Sequence, residues 1–144
     1  MAARSPLPRA AGIGDGRRVE HSTPPRVLLG NLDPIMVIGM ARVLEEDGAE
    51  VIGQERHPSQ IVRSAGRMRP DVVVLESGSE GSRELGMRVQ RVSPETKVIL
   101  CDRDEEAMEV LDPGSPTSRV LAVAPSEGLR QELTTSRHRH QVEE

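Results

Sequence analysis

Residues 71–82 read DVVVLESGSEGS. Three consecutive valines and a leucine describe a short strand buried on both faces, the texture of a central strand in a parallel sheet. The run stops on one carboxylate, Glu76, and a Ser/Gly loop follows. Open parallel sheets carry their working crevice outside the carboxyl ends of the strands. Glu76 therefore stands where chemistry or recognition belongs.

The same texture recurs on either side. RVLLG (26–30), EVIG (50–53), KVILCD (97–102) and RVLAVA (119–124) are further short apolar runs. Between the first two, NLDP turns the chain, with Pro34 suited to a first helical turn. IMVIGMARVLEEDG then reads as a helix, with Glu45, Glu46 and Asp47 ahead of a Gly48 stop. PSQIVRSAGRMR (58–69) sets Ile61, Val62, Ala65 and Met68 at helical spacing, and Pro70 ends it. SGSEGSRELGMRVQRV reads as loop then helix, with Leu85, Val89 and Val92 on one side. DEEAMEVL (104–111) reads as a short acidic helix, DPGSPTS (112–118) as a loop and PSEGLRQEL (125–133) as a last helix. Five strands alternating with amphipathic helices predict an α/β fold, a doubly wound five-stranded parallel sheet with helices on both faces. Residues 1–25 mix Pro, Gly, Ser and Arg without apolar period and read as a disordered leader. Residues 26–133 form the domain, and 134–144 a polar tail.

At 144 residues the chain has room for one domain. A formal net charge of −4 argues against a general nucleic-acid binder. No apolar run of about 18 residues exists to span a membrane, and the N-terminal arginines precede no apolar secretory segment. The single cysteine, Cys101, excludes an internal disulfide and fits a cytoplasmic protein. Phe, Tyr and Trp are absent. The core must rely on Val, Leu, Ile, Met and Ala, which predicts marginal stability or stability borrowed from a partner. The same absence argues against base stacking on single-stranded nucleic acid.

Taken in order, these segments resemble a bacterial response-regulator receiver domain of the NarL/LuxR type, over residues 26–133. RVLLGNLDPIMVIGMARVLEEDGAEVIG sits where that family has its first strand, acidic pair and first helix. RMRPDVVVLE matches the run into the phosphoacceptor aspartate, SPETKVILCD the fourth strand, and RVLAVAPSEGL the fifth strand and the start of the last helix. The resemblance implies a flavodoxin-like fold. It also implies a reaction centre of two acidic residues holding Mg²⁺, an acceptor aspartate, a Ser/Thr and a lysine.

In this chain the acidic pair falls on Asn31 and Leu32, with Asp33 next. The acceptor falls on Glu76, the hydroxyl on Asp102, the lysine on Ala122, and the fifth strand's aromatic on Arg119. Leu32 cannot ligate a cation, and Asn31 offers only a neutral amide oxygen. Asp102 would repel a phosphoryl group, and no lysine remains to draw it in. The resemblance thus implies a stand-alone pseudo-receiver, a signalling module that works by protein–protein contact without phosphotransfer, with no enzymatic activity and no cofactor. Its partner would be a response regulator, a kinase or a second copy. No room remains after residue 133 for a helix-turn-helix, so direct DNA binding is not expected. The alternative is a phosphorylatable two-component receiver using Glu76 or Asp102. A weaker one is a small flavodoxin-like ligand-binding domain, for which NLDP lacks a glycine pattern or a His.

Several residues keep two readings. Glu76 is either a mimic of a phosphorylated aspartate or a strand-end carboxylate bonded to the amides of Ser77 to Ser79. Asp33, Glu76 and Asp102 could converge on a divalent cation. Residues 35–38 (IMVI) cannot all face inward on one helix. Either that helix starts late, or a patch including Val37 and Ile38 is exposed for a partner. The family's usual docking face falls at about 104–133 and contains Arg119. Cys101 reads as an inert buried thiol. His138 and His140 read as solvated tail, and GIGDG (12–16) lacks the context of a phosphate cradle.

Overall fold

The alternation of apolar runs and amphipathic stretches builds six strands rather than five. The structure, a computed structural model, describes residues 23–77, 81–102, 107–122 and 127–134. In chain order these form β1 (Arg26–Gly30), α1 (Pro34–Glu46), β2 (Glu50–Glu55), α2 (Pro58–Met68), β3 (Val72–Glu76), α3 (Ser82–Val92), β4 (Lys97–Cys101), β5 (Met108–Leu111) and β6 (Ser118–Leu121). A last helical segment, α4, covers 127–134. The sheet order is β2-β1-β3-β4-β5-β6. β1 pairs in parallel with β2 and β3, and β3 with β4; β5 runs antiparallel to both β4 and β6.

Side chains alternate across the strands, as a pleated sheet requires. Val27, Leu29, Val72, Val74, Ile99, Met108 and Val110 face one layer, formed by Met40 and Leu44 of α1 and by Leu129 and Leu133 of α4. Leu28, Val73, Leu75, Val98 and Leu100 face the other, formed by Ile61 and Ala65 of α2 and by Leu85 and Val89 of α3. Both faces are covered, so the continuous valine and leucine runs are satisfied. Gly30 ends β1 because α2 sits on it: a Cβ there would lie 2.8 Å from Ile61 Cδ1.

Two expectations fail here. The acidic helix over 104–111 is a strand in its described part, and residues 104–106 lie outside the described residues. Met108 and Val110 bury on one face, while Glu109 and Leu111 turn to the other. Among the described residues the sheet is consequently six-stranded and mixed, not five-stranded and parallel. The last strand also runs only to Leu121, and 123–124 of the expected run lie outside the described residues.

Helix ends follow local chemistry. Pro34 opens α1, and the Asp33 carboxylate accepts from the Ile35 amide at 2.8 Å. Arg69 ends α2 in a left-handed conformation, and the Arg26 guanidinium donates to the carbonyls of Met68 and Arg69. Buried polar groups near the start of β4 are paired. Thr96 donates to the Pro70 carbonyl at 2.7 Å, and the Gln90 amide donates to the carbonyls of Thr96 and Leu111.

The amino end of β4 holds an ion cluster whose inner pair is buried. Lys97, 1% exposed, donates to Glu132 Oε1 at 2.8 Å, and Arg119 donates to the same oxygen at 2.8 Å. Arg119 also clasps Asp112 at 2.6 and 3.0 Å. Burial pushes the Glu132 carboxyl toward the neutral form, but the hydrogen bonds from Arg119 and Lys97 outweigh it and hold its pKa below the ordinary value. A carboxyl whose pKa is lower folded than unfolded stabilises the fold above about pH 4.5, and loses that contribution as pH falls through its folded pKa. Glu132→Gln is expected to cost about 3 kcal/mol near neutrality, because Lys97 stays buried without its counter-charge. It should also flatten the acid limb of stability. Urea denaturation repeated from neutral to acidic pH measures both effects.

Candidate functional site

The carboxyl ends of β1, β2 and β3 frame a cleft of about 340 Å³ lined by Asn31, Leu32, Asp33, Pro34, Arg56, His57 and Glu76. This is the point where the chain winds in opposite directions from β1, the switch point of an open α/β sheet. Glu76 is half-buried at the end of β3, beside Cys101 in the register with β4.

The three residues after β1 each have a structural role. Asn31 takes a left-handed backbone (φ 55°) that Asn tolerates better than most residues, and its amide donates to the Glu55 carbonyl at 2.9 Å. Leu32, 7% exposed, folds into the α1 side of the core. The Asp33 carboxylate caps α1.

Glu76 differs from its loop-bonded reading in one respect. The Ser77 amide donates to the Cys101 carbonyl at 2.8 Å rather than to the Glu76 carboxylate, and residues 78–80 lie outside the described residues. The Glu76 backbone carbonyl accepts from the Ser82 hydroxyl at 2.7 Å, which fixes the start of α3 to the end of β3.

Of the two further positions expected beside Glu76, Asp102 follows the neighbouring strand end and Ala122 lies farther off. Asp102 is half-buried just beyond β4. Ala122 is exposed beyond β6, and β6 stands three strand steps from β3 in the sheet order. Three steps amount to about 14 Å, farther than one side chain reaches. The interposed β5 is the reason. Among the described residues no group of three or more His, Cys, Asp or Glu side chains is placed to hold a metal ion, so Asp33, Glu76 and Asp102 do not form the carboxylate cluster.

Other candidates resolve individually. α1 begins at Pro34 rather than late, so the apolar patch is exposed: Ile35 is 77% and Ile38 66% exposed, with Val37 half-buried beside them. Arg119 is committed to Asp112 and Glu132. The expected docking face at 104–133 lacks its first helix in the described part, where β5 stands instead. His138, His140 and GIGDG lie outside the described residues. No described helix is long and apolar enough to cross a membrane.

Two cleft residues escaped the sequence reading, Arg56 and His57. They follow β2, whose carboxyl end obeys the same rule that singled out the ends of the other strands. The ion cluster of Lys97, Arg119, Asp112 and Glu132 was likewise unseen, since its members lie up to 35 positions apart. No family model matches the chain, and no curated protein matches it.

Cys101 is fully buried, and loss of solvation pushes its thiol pKa up to about 12. At mildly alkaline pH the folded chain should therefore resist iodoacetamide, while the urea-unfolded chain is fully alkylated. Intact mass after timed labelling distinguishes the two.

Proposed function

We propose that this chain is a receiver-like signalling module that acts through protein–protein contact and does not run phosphotransfer. One observation carries the reading. At the carboxyl end of β1, where the receiver resemblance expects acidic Mg²⁺ ligands, Leu32 is buried in the core. A hydrocarbon side chain offers no lone pair to a hard cation. The adjoining carboxylate, Asp33, is engaged as the cap of α1. The strand steps between Glu76 and Ala122 support the same reading, because a phosphoryl group on Glu76 would find no switch residue at that position within reach.

The resemblance supplies the class of partner: a response regulator, a kinase or a second copy of the chain. The doubly covered sheet, with α1 and α4 on one face and α2 and α3 on the other, is compatible with a flavodoxin-like receiver. The antiparallel β5 is this chain's departure from that pattern.

A second reading, a receiver phosphorylated on Glu76 or Asp102, has one observation in its favour. Arg56 lines the same cleft as Glu76, and a guanidinium attracts phosphate. Incubation with a small phosphodonor and Mg²⁺, followed by intact mass, decides between them. The expected outcome is an unchanged mass. Gain of one phosphoryl group, mapped to Glu76 or Asp102, would establish the second reading.

A further inference from the structure

Between α1 and β2 lies an open groove of about 780 Å³. Its floor is Leu29 and Leu32, and its helical wall carries Val37, Ile38 and Ala41. β2 is an edge strand, so nothing of this sheet closes that side. Apolar surface of this kind, rimmed by charge, marks a contact site rather than an ordinary solvated face.

The rim identifies the occupant. Arg56 stands at the upper mouth, beyond the carboxyl end of β2. Because α1 runs antiparallel to β2, Glu45 and Glu46 at its C-terminal end stand at the lower mouth, with Arg42 one turn above them. Among the described residues none of these four joins an ion pair. At the upper mouth Glu55 lies beside Arg56, its carboxylate accepting from the Ser64 hydroxyl at 2.9 Å. Each mouth thus carries both signs, Arg56 with Glu55 above and Arg42 with Glu45 and Glu46 below. A partner of one charge sign would meet a like charge at both mouths. An identical groove turned end over end answers each group, because a two-fold axis sets Arg56 of each copy against Glu45 and Glu46 of the other, and Arg42 against Glu55.

We propose that the α1/β2 groove is the docking surface for a second copy of this chain, related by a two-fold axis that crosses the groove. The contact is made through the helix side and not by joining sheets. The register between β1 and β2 shifts between Val27 and Leu28, leaving Ile52 as an extra residue on β2. Such a bulge on an edge strand discourages strand-to-strand pairing. The exposed Ile38, with Val37 and Ala41, then becomes the apolar centre and the five charged side chains its rim. The proposal rests on the interaction-module reading and names its partner. The phosphodonor experiment measures covalent chemistry and the one below measures assembly, so the two fail separately.

Sedimentation equilibrium of the full chain, over a wide concentration range at low and high salt, tests it. The expected result is a monomer–dimer equilibrium that weakens with salt. Ile38→Asp should abolish the dimer without changing the circular dichroism spectrum or Tm, since Ile38 is already 66% exposed. Arg56→Glu should weaken the dimer about tenfold or more. Combining Arg56→Glu with Glu45→Arg and Glu46→Arg should restore it, because the reversed mouths again match. A chain that is monomeric throughout assigns the groove to another occupant and overturns the proposal. So does a dimer indifferent to Ile38→Asp and to the charge reversals.

Discussion

Lys97 begins β4 with 1% of its surface exposed, and its ammonium finds Glu132 thirty-five positions away. An ammonium in a protein interior is tolerated only where a counter-charge and hydrogen bonds meet it. Glu132 supplies both, and Arg119 and Asp112 extend the contact to β6 and to the end of β5. The cluster therefore fixes where α4 lies and in what register the β5–β6 hairpin joins the sheet. In a core without a single aromatic ring, dispersion and area alone leave that part of the chain weakly specified. Leu129 and Leu133 add apolar contact from the same helix, but leucines can slide along a valine surface. A charge with one permitted partner cannot.

The cluster also separates stability from recognition in space. It lies at the amino end of β4, whereas the cleft and Glu76 lie at the carboxyl ends of the strands. Changes in the cleft leave the ion pairs intact. The first turn after β1 is an exception, because Leu32 belongs at once to the cleft wall, the α1/β2 groove and the core.

The central strands were legible because their information is local and redundant. Val72 to Leu75 and Val98 to Leu100 are apolar at every position, and only a strand covered on both faces uses such a run. α1 was legible from Pro34 and Gly48, residues whose backbone preferences punctuate the chain. β5 was not, for a specific reason. Met108 and Leu111 are three positions apart, the spacing of one helical face, and acidic residues precede them. In the structure they fall on opposite faces of a four-residue strand. What decides between those states is the exposed edge of β4, which only the assembled sheet provides. The site was half legible for a similar reason. Asn31, Leu32 and Glu76 follow from the rule about strand ends, but whether a strand-end side chain turns inward depends on the helix above it. The sequence of Leu32 does not say that it packs beneath α1.

The place of β5 between β4 and β6 has a consequence that no substitution at one residue could produce. Each strand step adds about 4.8 Å, so β5 carries the end of β6 one step farther from β3. Glu76 and Asp102 remain at neighbouring strand ends, but the end of β6 is displaced outward by the width of β5. Ala122→Lys would thus place an ammonium three strand steps from Glu76. Leu32→Asp would trade core packing for a carboxylate at a 7% exposed position. The three residues after β1 turn the chain, fill the core and cap α1 in succession. A metal centre there would need each of them to give up a structural contact. The contacts that make this corner stable thus occupy the residues a cation would need, and they leave the outer side of α1, with Ile35 and Ile38, as exposed apolar surface.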